Sequence, residues 1–242
     1  MPPSLSIVLP AYDEQDNIER AVRSAASAAA ALFADWEIVA VDDGSRDRTH
    51  DHLTRLQAEL EPRLQVVRHP ENSGYGAALR SGFRAAGGPL VFYTDSDNQF
   101  DLGELAGFLP LMKDADVAVG YRVDRQDALS RRASSAVFNA LASLAFGLRL
   151  RDLNCSFKLF RREVLEGLVI ESDDFFVDTE MMARIRRAGW RCVQKGVRHL
   201  PRTAGRSTVR PGDVPRTLRA MVRMWFRLRG ERRVASPAGA QP

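Results

Sequence analysis

The residues best suited to chemistry stand in three short acidic clusters, at 12–14 (YDE), 42–43 (DD) and 95–97 (DSD). Asp95 and Asp97 are two residues apart and follow the apolar run LVFYT at 90–94. Beyond a strand end the chain can turn, and both carboxylates can then face one divalent cation. Hard oxygen donors suit Mg²⁺ or Mn²⁺, ions that usually hold substrate phosphates as well. Gln99 would add a carbonyl oxygen or orient a ligand. A lone D-x-D is also a turn with Asp as its cap. Asp43, in DDGS, can accept a hydrogen bond from a base N–H or a ribose hydroxyl, or it belongs to a capping loop with Asp47 or Thr49. The turn NSGYG at 72–76 leads into a helix whose first amides could meet phosphate. The four histidines, His50, His52, His69 and His199, are scattered and receive no metal or catalytic role.

The elements around these clusters alternate. The apolar runs at 5–9, 37–41, 64–68 and 90–94 read as strands, and 16–33, 49–60 and 76–86 as helices, with Asp16 as a cap for the first. Strands separated by helices imply βαβ units and a mostly parallel sheet. Ligands bind such sheets beyond the carboxyl ends of the strands. All three acidic clusters follow strand ends, and three on one rim point to a site. After Asp101 the pattern changes: a short helix at 102–111, a strand at 116–120 and a helix at 131–146. A strand or extended turn follows at 153–160, then a helix at 179–188 and a strand at 191–197. The tail from 235 is rich in Pro, Gly and Ala and is expected to be frayed.

Composition narrows the class. The 242 residues are 45% hydrophobic and 27% charged, which argues against long-range disorder. Lys and Arg number 35 against 31 Asp and Glu, and the resulting +4 does not identify a nucleic-acid binder. No basic–aromatic interleaving is seen on the sheet rim, so nucleic acid is not an expected partner. Cys155 and Cys192 are too few for a disulfide scaffold or a Cys-based zinc site. The N-terminus lacks a charged n-region and a long apolar segment, so no signal peptide is expected. No stretch approaches the ~20 apolar residues of a membrane span. The expectation is a cytoplasmic protein, free or peripheral on the cytoplasmic face of a membrane.

The ordered series VLPAYDEQDNI (8–18), VDDGSRDRT (41–49), NSGYGAALRSGF (72–83) and YTDSDNQFD (93–101) resembles a family 2 glycosyltransferase of the GT-A fold. VGYRVDRQD (119–127), RDLNCSFKLFRREVL (151–165), DTE (178–180) and HLPRTAGRST (199–208) resemble the dolichol-phosphate or polyprenyl-phosphate mannose synthase branch. The resemblance spans residues 5–210 and implies an α/β fold with a mostly parallel central sheet flanked by helices. It implies that Pro10, Ala11, Tyr12 and Glu14 line a nucleoside pocket and that Val41 and Asp43 contact base or ribose. Asp95, Ser96 and Asp97 would hold metal and diphosphate, with Gln99 beside the metal. Arg122 would reach the donor phosphates or sugar, and Arg202 would close over the nucleotide. The branch often has Lys where Thr208 stands; here Arg206 is the nearby cation.

The chemistry so implied is transfer with inversion, assisted by Mg²⁺ or Mn²⁺, because a nucleoside diphosphate leaves as an anion. Mannose from GDP-mannose to a polyprenyl phosphate is the first reading. A hydroxyl acceptor needs a base, whereas a lipid monophosphate, with a second pKa of ~6, is already largely ionised. Arg131, Arg132 and Lys158 are the candidates for the acceptor phosphate. Glu180 matches a family Glu and is the preferred base or acceptor-orienting group. Asp178 is its alternative, and both could simply cap the next helix. Asp152 is expected to order the 151–160 segment, and Cys155 to pack.

Residues 214–229 place Arg216, Arg219, Arg223 and Arg227 on one helix face and Leu218, Met221, Val222 and Trp225 on another. Such a helix suits an anionic membrane surface, or docks on the domain with its arginines in water. The resulting division is 1–212 for the transferase domain, 213–234 for the basic helix and 235–242 for a disordered tail. The rival readings are a transferase using a UDP-sugar and a hydroxyl acceptor, and a catalytically silent membrane-surface scaffold.

Overall fold

In β1 (Leu5–Ala11) and β2 (Trp36–Asp42), alternate residues serve opposite faces of one sheet. Leu5, Ile7, Leu9, Ile38 and Ala40 enter one apolar cluster, and Val8, Val39 and Val41 the other. A strand buried on both faces needs layers above and below it, and the helices supply them. The computed structural model describes residues 4–123, 129–201 and 213–230. On the first face lies α1 (Ile18–Leu32), which buries Ile18, Val22, Ala25 and Ala29 at helical spacing, beside α2 (Thr49–Leu60) with Leu53 and Leu56. The second face is covered by α3 (Tyr75–Ala85), α6 (Val177–Arg187) and the seam of α7 (Asp213–Gly230).

The remaining strands are β3 (Leu64–Arg68), β4 (Leu90–Thr94), β5 (Val117–Val123), β6 (Phe157–Arg161) and β7 (Cys192–Arg198). The sheet order is β3-β2-β1-β4-β6-β5-β7. Among the described strands only β6 runs against its neighbours: it pairs antiparallel with both β4 and β5, whereas the other strand pairs are parallel. The pairing Thr94↔Phe157 therefore brings the start of β6 to the rim where β4 ends.

Several elements depart from the expected bounds. The first helix is capped at Asn17 rather than at Asp16. The expected helix at 102–111 is two 3₁₀ turns, Leu102–Gly107 and Leu109–Lys113, the second with Pro110 near its start. The strand expected at 116–120 runs on to Val123, and a short helix, α5 (Arg162–Glu166), was not foreseen. The helix α4 spans Leu129–Phe146. In α7 the buried seam is Met221, Met224 and Leu228, three and four residues apart, while Val222 faces out with Arg219, Arg223 and Arg227. The side chains of Arg216 and Leu218, and the tail 235–242, lie outside the described residues. Among the described residues no helix is long and apolar enough to cross a membrane.

Candidate active site

Two left-handed residues shape the rim. Asp13 (φ 53°) turns the chain after β1, and Asn98 (φ 59°) turns it after Asp95, Ser96 and Asp97. Asn and Asp tolerate this conformation better than other non-glycine residues. Asn98 donates to the Asn17 carbonyl at 3.0 Å, and Ser96 Oγ donates to the Pro10 carbonyl at 2.8 Å. These bonds tie the D-S-D turn to β1 and to the start of α1.

Asp95 is held from both sides. Its Oδ1 accepts from the Tyr75 hydroxyl at 2.8 Å and its Oδ2 from Ser156 Oγ at 2.6 Å. Burial first, and then the Asp97 carboxylate, push its pKa up to about 6. Two carboxylates that repel each other in a dry turn fit a divalent cation, whose charge removes the repulsion. Asp97 is 6% exposed, and its Oδ1 accepts from the Gln99 amide at 3.1 Å. Gln99 donates its side-chain N–H to the Leu200 carbonyl at 3.2 Å. Among the described residues no group of three or more His, Cys, Asp or Glu converges as a metal cage. A cation here would have two carboxylates and the Gln99 amide oxygen to draw on, and phosphate and water would complete its shell, as is usual for Mg²⁺.

Tyr75 and Ser156 were not singled out by sequence. Tyr75 lies inside NSGYG, where only the glycines drew notice. Ser156 reaches Asp95 because β6 pairs antiparallel with β4, a long-range fact that no local pattern announces.

Asp43 sits at the end of β2, 3% exposed, and is fully engaged. It accepts from the Ser73 and Gly74 amides, each at 2.9 Å, and pairs with His69 Nδ1 at 2.6 Å. The Ser73 and Gly74 amides, just before α3, thus serve Asp43, and His69 has a carboxylate partner. His50 likewise lies 3.3 Å from the buried Asp42. Tyr12 and Glu14 are half-buried on the same rim as Pro10, Ala11 and Val41, and Glu14 accepts from the Asn17 side chain at 2.6 Å.

Arg122, at the rim end of β5, is bound in a fork by Asp152, with Nε 2.7 Å and Nη2 2.9 Å from its two oxygens. Asp152 thus fixes the position of the Arg122 side chain. Cys155 is buried, and burial, with Asp152 adding, pushes its thiol up to about 12, so it packs and does not react.

Two expected site residues belong elsewhere. Lys158 is fully buried and donates to Asp178 at 2.6 Å, to the Cys155 carbonyl at 2.7 Å and to the Tyr93 hydroxyl at 2.9 Å. Its three donors are used inside the core, so it does not present them to an acceptor phosphate. Tyr93 also donates to Asp178. Burial and the Asp178 charge hold this phenol well above its usual pKa, so it stays a neutral donor. Glu180 is fully buried: it accepts from the Ser172 amide at 2.8 Å, the Glu171 amide at 3.2 Å and Arg184 Nε at 2.9 Å. It anchors the segment before α6 and does not reach the rim as a base. Asp178, 4% exposed, is bound to Lys158 and is no substitute. The side chains of Arg131 and Arg132 lie outside the described residues, as do Arg202, Arg206 and Thr208.

Asp95 and Asp97 thus stand near one another at the carboxyl ends of parallel strands, where a divalent cation would fit. The chain is similar to several known proteins. The profile of the family described as "Glycosyl transferase family 2" matches residues 6–169. Glycosyltransferase AglD of Haloferax volcanii is 35% identical over 202 residues, covering 78% of this chain and 32% of that protein. Undecaprenyl-phosphate 4-deoxy-4-formamido-L-arabinose transferase of Yersinia enterocolitica is 30% identical over 166 residues, covering 68% of this chain and 51% of its own. The chain thus spans between about a third and a half of these relatives. Glucosyl-3-phosphoglycerate synthase of Mycobacterium tuberculosis, solved with phosphoglyceric acid, superposes with a TM-score of 0.71 at 18% identity, over 93% of this chain and 79% of that one. The same enzyme has been solved with Mn²⁺ and uridine diphosphate. At this identity the likeness shows the fold, which is GT-A.

Proposed function

This chain belongs to glycosyl transferase family 2, and from that premise we propose that it moves a sugar from a nucleoside-diphosphate donor to a polyprenyl phosphate, with inversion. The observation that carries the acceptor is the burial of Glu180 and Asp178 in structural pairs. A hydroxyl acceptor must lose a proton to a base, whereas a lipid phosphate arrives largely ionised at neutral pH, its second pKa being ~6. The 30%-identical relative, whose name specifies undecaprenyl phosphate, supports the same acceptor class. Mannose from GDP-mannose is our choice of donor, resting on the resemblance of the 151–165 and 199–208 segments.

Asp95 and Asp97 would hold Mg²⁺ or Mn²⁺ against the donor diphosphate. The bound cation supplies charge neutralisation to the leaving nucleoside diphosphate. Tyr75 and Ser156 keep Asp95 oriented, and Asp152 keeps Arg122 aimed at the phosphates. Pro10, Ala11, Tyr12, Glu14 and Val41 would face the nucleoside, with Asp43 bracing the loop beneath it. Arg131 and Arg132 are our candidates for the acceptor phosphate, and Arg202 for closure. We assign the basic outer face of α7 to a peripheral contact with the cytoplasmic face of the membrane, where such an acceptor would reside.

The test is transfer of radiolabelled mannose from GDP-mannose to a polyprenyl phosphate with Mn²⁺ or Mg²⁺, counted in the organic phase. Label that both EDTA and Asp97→Ala abolish is the expected result. Metal-dependent nucleotide binding without lipid label would reject this acceptor–donor pair. Absence of metal-dependent nucleotide binding would reject the enzyme reading and favour a silent scaffold.

A further inference from the structure

Seven large apolar side chains are exposed among the described residues, and five of them stand on two helices that pack against each other. They are Val137, Leu141 and Leu144 on α4, and Val222 and Phe226 on α7. Leu144 is 84% exposed and Phe226 65%, values that belong to side chains with nothing over them. Both helices join the second apolar cluster, α4 through Phe138, Ala142 and Phe146, and α7 through Met221, Met224 and Leu228. At ~100° per residue, Leu144 lies ~200° from Ala142, and Phe226 ~200° from Met224. The exposed side chains therefore point away from the sheet, on one side of the molecule. Ala136 and Ala140 extend the ridge on α4, and residues 135–148 contain no charged side chain.

Charge selects what can cover this face. In sequence, α4 holds two arginines and no acidic residue, and α7 holds five arginines against Asp213 alone. Arg219 and Arg223 are exposed on the same outer side of α7 as Val222 and Phe226, and Arg227 is paired with Glu171. A second copy seated here about a two-fold axis would set arginine against arginine, because such an interface meets itself. An anionic bilayer is complementary on both counts, with hydrocarbon for the ridge and headgroup phosphates for the arginines.

We propose that this face enters an anionic membrane, with Val137, Leu144 and Phe226 in the hydrocarbon and Arg219 and Arg223 among the headgroups. Insertion of α4 rests on the membrane contact assigned above to the basic face of α7 and goes beyond it. The experiment places an NBD fluorophore on Leu144→Cys in a Cys192→Ser chain; Cys155 is buried and escapes the label. Vesicles contain phosphatidylglycerol and phosphatidylcholine in equal parts, with a nitroxide on either the acyl chain or the headgroup. NBD emission should rise on binding and be quenched more by the acyl-chain nitroxide. In co-sedimentation of the unlabelled chain, Val137→Ser/Leu144→Ser should weaken binding at least roughly tenfold, with circular dichroism unchanged. Arg219→Gln/Arg223→Gln should weaken binding at ~0.01 M salt and add little at ~0.5 M, where charges are screened and the ridge still holds the unsubstituted chain. Binding that vanishes at high salt, quenching by the headgroup nitroxide alone, or unchanged affinity in Val137→Ser/Leu144→Ser would overturn insertion and leave the basic contact of α7 standing. No binding at low salt would overturn both. An NBD change that grows with protein concentration in the absence of lipid would assign the face to a second copy and overturn the proposal.

Discussion

Asp95 joins two demands in one side chain. Its carboxyl is pushed up to about 6 by burial and by Asp97. An acid whose folded pKa lies above its unfolded value favours the fold while protonated, and that contribution fades as pH rises through 6. A cation must displace the remaining proton, so its affinity falls as pH drops below 6. The expected outcome is a larger rise in Tm on adding Mn²⁺ at pH 7.5 than at pH 5, read by scanning calorimetry, with the difference lost in Asp97→Ala. Lys158 makes the opposite case, a charge used for architecture. Replacing it by Met leaves Asp178 buried without its cation, which should destabilise the protein by about 3–5 kcal/mol in urea unfolding. Lys158→Met/Asp178→Leu should recover most of that loss. If the double variant is as unstable as the single, the pair does not hold the core as described.

At the scale of elements, the segment before α6 ties three helices to the site. Gly74 and Gly76 let α3 approach it: a Cβ on Gly76 would lie 1.9 Å from the Ser172 carbonyl oxygen, and one on Gly74 2.3 Å from that of Asp173. The Gly76 amide donates to Asp173 at 2.9 Å, Arg80 pairs with Asp173, and Tyr75 stacks on Phe175 with centroids 5.3 Å apart. Glu180 of α6 holds the same segment, and Arg227 of α7 pairs with its Glu171. Gly76→Ala must move either α3 or this segment, a strain of about 1–3 kcal/mol. Because Tyr75 is the next residue, the variant should also weaken Mn²⁺ binding by calorimetry, which an ordinary surface glycine would not do. Legibility also divides at this scale. Strands at 64–68 and 90–94 were readable because short β-branched or aromatic runs stood between turn residues. The D-S-D turn was readable because it follows a strand end, as two further acidic clusters do. The partners Tyr75 and Ser156, and the engagement of Asp43 by His69, were not readable, because sheet order and antiparallel pairing create them across 20 to 61 residues of chain. Glu180 and Lys158 misled because a charged residue usually lies on the surface, and here each is buried with its partners.

For the whole molecule, the net charge of +4 is modest, and its placement does more than its size. The helix α7 seats Met221, Met224 and Leu228 and turns Arg219, Arg223 and Arg227 outward. Met224→Asp would put an unpaired charge in that seam. Hydrogen exchange should then show α7 amides losing protection while β1 and β4 keep theirs. Loss across the whole sheet instead would mean that α7 is part of a single cooperative unit. The lone antiparallel strand has a consequence for how the chain is made. Strands β1 to β4 come from residues 5–94 and pair among themselves in the order β3-β2-β1-β4, so they can assemble while later residues are still being synthesised. The edge of β4 then waits for β6, which arrives more than 60 residues later and brings Ser156 to Asp95. A nascent chain would thus hold most of the proposed nucleoside rim before the carboxylate proposed for the metal is braced, with α6, β7 and α7 still to be added.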